Sequence, residues 1–340
     1  MRRKSLEATI GNIRIGGKNP IAIQSMTKTK TKDVIATVEQ ILELSDSGCE
    51  IIRVALPDIT SAKVLGKIKE KSPMPIIADI HFNYKIALEA IEQGADKIRL
   101  NPGNIRNKEK IKEIVKKAKK ARIPIRVGAN SGSLPNGETL VSAVMREIKI
   151  LEEEEFYDIV VSLKGVDIHQ TVAGYREMAK LVKYPFHIGI TEAGPLFSGS
   201  IISSIGCGII LFEGLGDTIR VSLTSSPVDE VKVAKQILQA LDIRSFGPRI
   251  ISCPGCGRAK QEFFKISYEL ESIISKIEGL SDKKIAIMGC EVNGPGEAKK
   301  ADFGIVCGRI FTIYKDGRII NKTSSYNTAI KIMEENLYLR

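Results

Sequence analysis

Short apolar runs recur along the first three quarters of the chain, and each is followed by a stretch with helical spacing. There are eight runs, and their starts lie 22 to 34 residues apart: Ile21–Met26, Glu50–Leu56, Pro75–Ile80, Lys97–Pro102, Pro124–Ala129, Asp158–Lys164, Pro185–Thr191 and Thr218–Leu223. Between the first two runs, Val34, Val38 and Ile41 follow the period of a helix. Eight strand–helix units over about 240 residues predict an α/β fold with a (β/α)₈ TIM barrel. The competing doubly wound sheet is disfavoured because no GxGxxG follows the first strand.

The pattern changes near residue 244, where Ser245–Pro248 is typical of a linker. Beyond it we expect a short strand ending in Cys253, a helix over about 259–277, a strand over Lys284–Met288, a hairpin near 315–318 and a last helix from about Asn327. The sequence therefore predicts a barrel domain over 1–244 and a small α+β domain over 245–340. At the start of the chain, Ala8–Ile15 and Ile21–Met26 flank Gly16–Asn19, and we expect these segments to form a hairpin that plugs the barrel.

Composition and charge narrow the class of protein. The apolar fraction of 43% is ordinary for a folded domain, and the longest uncharged run, 193–212, is too rich in Gly and Ser for a spanning helix. No apolar segment follows the basic N-terminus, so we expect a cytoplasmic protein, not bound to a membrane, with six reduced cysteines. The net charge of +11 allows an anionic small substrate, an acidic protein partner or a nucleic acid.

The positions of the arginines decide among these partners. Arg53, Arg99, Arg126 and Arg220 each lie between two aliphatic residues of a predicted strand, and Lys164 closes the sixth strand. Because side chains alternate along a strand, outward aliphatics place these cations inside the barrel. One interpretation is a set of internal salt bridges with Asp79, Glu192 or Glu213. The other is a cage for phosphate or diphosphate, and it disfavours nucleic-acid binding because part of the charge excess then lies in a pocket.

Further polar residues occur where predicted strands end, which is the catalytic end of such barrels. Asp79 and His81 end the third strand, and Asn130 and Ser131 follow the fifth. We predict that these four side chains orient a bound substrate.

The cysteines indicate a metal or redox site. Cys253 and Cys256 form a CxxC, and Cys290 follows 34 residues later. No second CxxC is present for a four-cysteine zinc site, and three thiolates with an unusual fourth ligand suit a [4Fe–4S] cluster. By spacing alone, the fourth ligand could be Cys307, Glu291 or Glu297.

These motifs resemble a known enzyme family. The segments 253–258 (CPGCGR) and 288–298 (MGCEVNGPGEA) are similar to those of the 4-hydroxy-3-methylbut-2-enyl diphosphate synthases of the methylerythritol phosphate pathway. The resemblance continues through 23–27 (IQSMT), 98–104 (IRLNPGN), 127–133 (VGANSGS) and 213–220 (EGLGDTIR), and so covers nearly the whole chain.

The resemblance implies a cluster held by Cys253, Cys256, Cys290 and Glu297. It also implies reductive ring opening of 2-C-methyl-D-erythritol 2,4-cyclodiphosphate with loss of water, using two electrons delivered through the cluster. The diphosphate would then be bound by Arg53, Arg99, Arg126, Lys164 and Arg220. We predict Glu213 as the proton donor or as an acid that positions the substrate.

We also expect a ferredoxin or flavodoxin as electron donor, and a homodimer. The resemblance implies that one subunit's cluster domain faces the other's barrel. The alternative is a non-redox barrel that binds a phosphate or pterin ligand and carries a structural zinc.

Overall fold

The computed structural model describes residues 2–80, 83–100, 105, 107–134, 137–260, 262–274, 277 and 279–338. The chain divides into two compact units, Met1–Arg244 and Ser245–Arg340.

The first unit is a nearly closed barrel of eight parallel strands. A short antiparallel hairpin, β1 (Ala8–Ile10) and β2 (Ile13–Ile15), precedes it. The barrel strands are β3 (Ala22–Met26), β4 (Ile51–Ala55), β5 (Ile76–Asp79), β6 (Lys97–Arg99), β7 (Ile125–Asn130), β8 (Ile159–Lys164), β9 (His187–Ile188) and β10 (Thr218–Ile219). Strands β3 to β8 pair in chain order, and β10 lies between β3 and β9. A single bridge between Val161 and Phe186 links β8 to the segment before β9. The predicted TIM barrel is confirmed.

Helices surround these strands. They are α1 (Val34–Asp46), α2 (Ile59–Lys63), α3 (Leu65–Lys71), α4 (Tyr84–Glu92), α5 (Lys108–Ala121), α6 (Leu140–Glu153), α7 (Ile168–Leu181), α8 (Leu196–Phe212) and α9 (Pro227–Ala240). Asp33, Asn107 and Asp167 accept backbone hydrogen bonds at the N-termini of α1, α5 and α7. The Lys-rich helix α5 buries Ile111, Ile114, Val115 and Ala118 and turns its lysines outward, as expected for an outer barrel helix.

The N-terminal hairpin differs from the prediction. It lies entirely within 8–15. The segment Ile21–Met26, predicted both as a hairpin arm and as the first barrel strand, forms only the barrel strand β3. The turn uses Gly11 in the left-handed region, with φ of 58°. Ala8, Ile10 and Ile15 pack against the inward-facing Ile51 and other residues of the barrel's amino-terminal layer. The hairpin therefore plugs the barrel, as predicted, but with a different pairing.

Strands β9 and β10 are much shorter than the apolar runs that predicted them, with two residues each. The N-terminal segment supports this part of the barrel. Arg3 donates to the carbonyls of Val182 and Tyr184, and the buried Asp217 carboxylate accepts from Arg2 at 2.7 Å and from the Phe186 backbone. Side-chain bonds thus replace part of the missing strand ladder.

The second unit is a five-stranded mixed sheet with helices. Its strands are β11 (Arg249–Ser252), β12 (Lys284–Met288), β13 (Phe303–Cys307), β14 (Phe311–Lys315) and β15 (Arg318–Thr323), in that spatial order. Strands β11 to β13 are parallel, and β13 to β15 are antiparallel. Helices α10 (Glu262–Ile274), α11 (Gly294–Lys300) and α12 (Tyr326–Tyr338) complete the unit, and Phe263, Ile305 and Met333 lie in its core.

Candidate active site

The five cationic side chains that the strand pattern predicted lie inside the barrel. We call them the basic cluster: Arg53 on β4, Arg99 on β6, Arg126 on β7, Lys164 on β8 and Arg220 directly after β10. Arg99, Arg126 and Lys164 are buried, and the side chains of Arg53 and Arg220 are only 11% and 13% exposed. These five side chains therefore lie inside the barrel and make its interior positively charged.

The acids of the barrel balance these cations only in part. Asp79, at the end of β5, lies 3.7 Å from Nε of Arg53 and 3.7 Å from Nε of Arg99. Arg53 also donates to the thioether sulfur of Met26, at 2.9 Å from Nη2. One carboxylate thus serves two guanidinium groups at distances longer than a hydrogen bond.

Arg126 and Lys164 are the least compensated members of the cluster. Nε and Nη1 of Arg126 and Nζ of Lys164 are buried and have no hydrogen-bond partner among the residues that the structure describes. Burial, together with the neighbouring cations, holds the pKa of both side chains well below the ordinary value. Leaving charged donors unpaired in a barrel interior is costly, so this arrangement favours an anionic ligand over internal salt bridges.

Arg220 has a distant acidic neighbour. Its Nη2 lies 4.0 Å from the buried carboxylate of Glu230 in the first turn of α9. Glu230 is already bonded to the Leu223 backbone at 2.9 Å and to Lys28 at 3.0 Å. Burial lowers the pKa of Arg220 to about 10, and Arg53 contributes to that shift.

Two buried residues extend the polar interior, and the sequence prediction did not include them among its site residues. Lys97 precedes Arg99 by two positions and therefore shares its face of β6, and its amine has no partner within the described ranges. His187 on β9 bonds through Nδ1 to the Thr218 hydroxyl at 2.8 Å, while Nε2 has no partner in the described part of the chain. Burial and the nearby cations hold the pKa of both groups well below the ordinary value. The two-residue alternation that identified Arg99 could have identified Lys97.

The remaining predicted substrate residues lie at the carboxyl ends of the strands. Asn130 ends β7 and is paired in register with Lys164. Ser131 follows directly and accepts a hydrogen bond from the Val166 backbone at 3.3 Å. His81 falls outside the described residues.

Glu213 is not brought to this site. It caps the C-terminus of α8, before β10 begins, and therefore lies at the amino-terminal end of the barrel. Its carboxylate receives a bidentate bond from Arg176 on α7, and this pairing lowers the Glu213 pKa. The predicted proton-donor role does not fit this position, because the polar strand ends lie at the opposite end of the barrel.

Another glutamate, Glu192, lies at the same end of the barrel as the polar strand ends. It follows β9 at the carboxyl end of the barrel, is exposed, and its carboxylate has no partner among the described residues. Its backbone is left-handed, with φ of 53°, and Gly194 follows at 107°. A non-glycine residue in the left-handed region, at the end of the barrel where the polar strand ends lie, indicates a functional position.

The three predicted thiol ligands belong to one edge of the small sheet. Cys253 directly follows β11, and its backbone N–H donates to Ile287 on the adjacent parallel strand β12 at 3.0 Å. Cys256 is exposed in the next loop, and Cys290 follows β12. The backbone N–H groups of Val292 and Asn293, with Arg258, lower the Cys290 pKa and so favour the thiolate that binds metals.

The three candidates for the fourth ligand have different surroundings. Cys307 is buried in the core of the unit on β13, and burial raises its pKa to about 12. Glu291 accepts a hydrogen bond from the Arg309 backbone at 2.7 Å. Glu297 on α11 is 44% exposed and, among the described side chains, bonds only to Lys300, at 3.4 Å. Glu297 is therefore the most available of the three for a metal.

The donors are not gathered around a common point. Over the described ranges, no group of three or more His, Cys, Asp or Glu side chains is close enough to hold a metal ion. The chemistry of the donor set still fits an iron–sulfur cluster, since three reduced cysteines share one sheet edge beside a carboxylate.

No described helix combines the length and the apolar character needed to cross a membrane.

The chain is a TIM-barrel protein with a basic interior and a thiol-bearing C-terminal unit. Residues 5–235 match the GcpE TIM-barrel domain, and residues 249–337 match the GcpE protein C-terminal domain. The chain belongs to the GcpE family.

Two bacterial relatives that are similar over nearly the whole chain have the same name. A relative from Caldicellulosiruptor saccharolyticus is 51% identical, with 96% of each chain covered, and one from Thermodesulfovibrio yellowstonii is 49% identical, with 97% and 98% covered. Both are 4-hydroxy-3-methylbut-2-en-1-yl diphosphate synthases (flavodoxin). Among solved structures, the dihydropteroate synthase of Yersinia pestis matches 70% of this chain and 98% of its own, with a TM-score of 0.52 and 11% identity. That likeness shows the barrel fold alone.

Proposed function

We propose that this chain opens the ring of 2-C-methyl-D-erythritol 2,4-cyclodiphosphate reductively, with loss of water, to give 4-hydroxy-3-methylbut-2-enyl diphosphate. Its relatives at about 50% identity over nearly their full length carry the name of this activity. The observation that carries the proposal is the excess of buried cationic donors in the barrel, above all the nitrogens of Arg126 and Lys164 that lack a partner among the described residues.

The basic cluster suits this reaction because the charge of the diphosphate rises during it. A carbon–oxygen bond to a ring phosphate breaks, and the freed phosphate oxygen keeps the negative charge. Arg53, Arg99, Arg126, Lys164 and Arg220 supply fixed donors in a buried setting, where they stabilise the opened diphosphate more than the cyclic one. Such differential stabilisation lowers the barrier rather than merely tightening substrate binding.

A hydroxyl group leaves as water, so the reaction needs a proton as well as two electrons. We assign the proton donor to Glu192, because its carboxyl group is at the carboxyl end of the barrel and has no competing partner in the described part of the chain. Asp79, Asn130 and Ser131 are proposed to orient the hydroxyl groups of the substrate, together with His81.

A [4Fe–4S] cluster held by Cys253, Cys256, Cys290 and Glu297 would supply the electrons one at a time. The exposed Cys256, the lowered pKa of Cys290 and the availability of Glu297 support this ligand set. The electron donor is proposed to be a flavodoxin, which the names of the relatives include, or the chemically similar ferredoxin. The active form is proposed to be a homodimer.

The experiment is turnover by anaerobically purified protein. We expect about four iron and four sulfide per chain, and consumption of the cyclic diphosphate with reduced flavodoxin. The two-electron stoichiometry is checked by the amount of reduced donor oxidised per product formed. A colourless protein that contains zinc and binds the cyclic diphosphate without consuming it would contradict the proposal. It would favour the alternative of a non-redox binding barrel with a structural zinc.

A further inference from the structure

One buried base of the barrel interior has no part in the proposed reaction. Lys97 on β6 is fully buried, and its amine has no hydrogen-bond partner among the residues that the structure describes. The long stem of a lysine normally carries its charge to water, and lysines are almost never fully buried unless they are paired. Lys97 is therefore an unusual residue for a barrel strand.

The strand register places Lys97 next to the basic cluster. It precedes Arg99 by two positions on the same face of β6, and Ile77 on β5 is the register partner of both Lys97 and Arg53. Towards the amino-terminal end of the barrel the interior is apolar, since Ile77 and Val160 pack with the N-terminal hairpin. Lys97 therefore lies between an apolar layer and a group of cations.

In the described part of the barrel, cations outnumber acids around Lys97. Burial, Arg126 and Arg53 lower the pKa of its amine, and Asp158 raises it. Asp158 precedes β8, is half-buried beside a cavity of about 510 Å³, and makes no hydrogen bond to Lys97. The charged and titratable side chains that share this part of the interior with Lys97 are Arg53, Asp79, Arg99, Arg126, Asp158 and His187.

An amine in this position can relieve the repulsion that the arginines cannot. Guanidinium groups keep their protons in proteins, so Arg53, Arg99 and Arg126 stay charged whether or not an anion is present. Burial and neighbouring cations both favour the neutral form of an amine, and buried lysines that titrate at roughly pH 5–6 are known. In the empty barrel the neutral form of Lys97 is therefore favoured. A diphosphate reverses this balance, because its negative charge stabilises an ammonium ion nearby.

We propose that Lys97 takes up a proton from solvent when a diphosphate binds in the basic cluster. The neutral amine becomes an ammonium ion, and no bond of the ligand changes in this step. The inference rests on the proposed function for the identity of the ligand. It makes Lys97 a positioning residue, which adds positive charge to the barrel interior only when the negative charge of the ligand is there to balance it.

The coupling has a sign that binding measurements can detect. A ligand that favours the protonated form of a residue binds more tightly as pH falls, and uptake of one proton makes the affinity fall about tenfold for each unit by which pH rises. The pH range extends from the lowered pKa of Lys97 in the empty barrel up towards the ordinary lysine value of about 10.4. The pKa of His187 is lowered from a much smaller ordinary value, so His187 contributes little at about pH 8.

The first test counts protons by isothermal titration calorimetry at about pH 8. The cyclic diphosphate is titrated into anaerobically purified holoenzyme without reductant, in Tris and in HEPES, whose ionisation enthalpies differ. Both phosphoryl groups of this ligand lie within its ring and stay fully ionised at this pH, so the protons that are counted belong to the protein. We expect the unaltered chain to take up about one proton for each ligand bound.

The second test repeats the count on variants. Lys97→Met removes the amine but keeps most of the stem, so it should lose at least half of the proton uptake, and its affinity should depend less steeply on pH. Lys97→Gln, which also cannot titrate, should show the same loss and covers the case in which Lys97→Met does not fold. Lys149→Met is the matched control, since Lys149 is exposed on α6, and His187→Gln tests the neighbouring base. Both should keep the full uptake at about pH 8.

The outcomes separate the inference from the proposed function. Binding and turnover without proton uptake, or with the same uptake in Lys97→Met, overturn the inference and leave the activity standing. A Lys97→Met chain that loses affinity by the same factor at every pH also overturns it, because Lys97 is then a permanently charged contact. Uptake that Lys97→Met loses, in a holoenzyme that does not consume the ligand with reduced flavodoxin, supports the inference and contradicts the function. A chain that does not bind the cyclic diphosphate contradicts both.

Discussion

The Nζ atom of Lys164 occupies the space that a side chain at position 189 would need. A β-carbon built on Gly189 lies 2.8 Å from Lys164 Nζ, and closer still to the carbonyl oxygen of Arg220. Position 189 must therefore be glycine for two members of the basic cluster to take their places.

We expect Gly189→Ala to lower both turnover and stability. The added methyl group displaces the Lys164 amine and crowds the backbone that follows β10, where only two residues form ladder bonds. Lys164→Met separates the two effects. It should abolish most turnover but leave the melting temperature unchanged or higher, because a buried cation that lacks a described partner is removed. Equal melting temperatures for Gly189→Ala and the unaltered chain would contradict the close fit.

Arg126→Lys should reduce kcat/KM by about 30-fold, equivalent to about 2 kcal/mol, because the amine cannot reproduce the two-point contact of a guanidinium with phosphate. The charge is conserved, so the variant tests geometry rather than electrostatic attraction alone. Steady-state kinetics with the cyclic diphosphate provide the measurement. The same change at Arg176, which pairs with Glu213 on the outside of the barrel, should leave kcat/KM unaltered. Similar losses in both variants would exclude a specific phosphate contact at Arg126.

The two glutamates at opposite ends of the barrel give a direct comparison. Glu192→Gln should lower kcat by at least a hundredfold with little change in KM, as expected for loss of a proton donor. Glu213→Gln removes only a surface ion pair with Arg176 and should retain near-normal turnover. The pH profile of kcat is the second readout. A proton donor makes kcat fall at high pH as it loses its proton, and this fall should be absent from Glu192→Gln alone. Normal turnover in Glu192→Gln would contradict the assignment of Glu192 as the proton donor.

Glu297→Gln should keep the fold, make the cluster more labile and abolish most turnover. An amide binds iron more weakly than a carboxylate, and the oxygen ligand is already the weakest on a thiolate-held cluster. Iron content after exposure to a chelator measures the lability. Cys307→Ser is the control, since Cys307 is a buried core residue and should not affect iron content. If Glu297→Gln retains iron normally and Cys307→Ser loses iron, Cys307 rather than Glu297 is the fourth ligand.

Electron delivery by an acidic flavodoxin should slow as salt rises. The net charge of +11 attracts such a carrier over distances that added salt screens. The rate is measured with saturating cyclic diphosphate and limiting reduced flavodoxin. A small reductant escapes this steering only if its reduced form has no net charge. A viologen with a single sulfonate side chain is therefore the suitable comparison, because it is neutral after one-electron reduction. A rate with flavodoxin that is independent of ionic strength would contradict electrostatic steering.

The barrel could be predicted from the sequence because each strand–helix unit has its own apolar period. The strands β5 and β8 lie within one residue of their predicted bounds. The two-residue strands β9 and β10 were overestimated, since their apolar runs continue into segments held by side-chain bonds. Apolar spacing reports burial, and it does not distinguish a strand from a buried extended segment.

Local patterning in the sequence is sufficient to say which side chains face the barrel interior, since alternation along a strand involves only neighbouring residues. Three-residue patterns of one arginine between two aliphatics place Arg53, Arg99 and Arg126 inside. Which groups then meet depends on the closed fold, because partners such as Asp79 come from other strands. The contact of Lys164 with position 189 is likewise set by residues far apart in the chain. Such contacts leave no periodic signal in the sequence, and the tertiary structure alone fixes them.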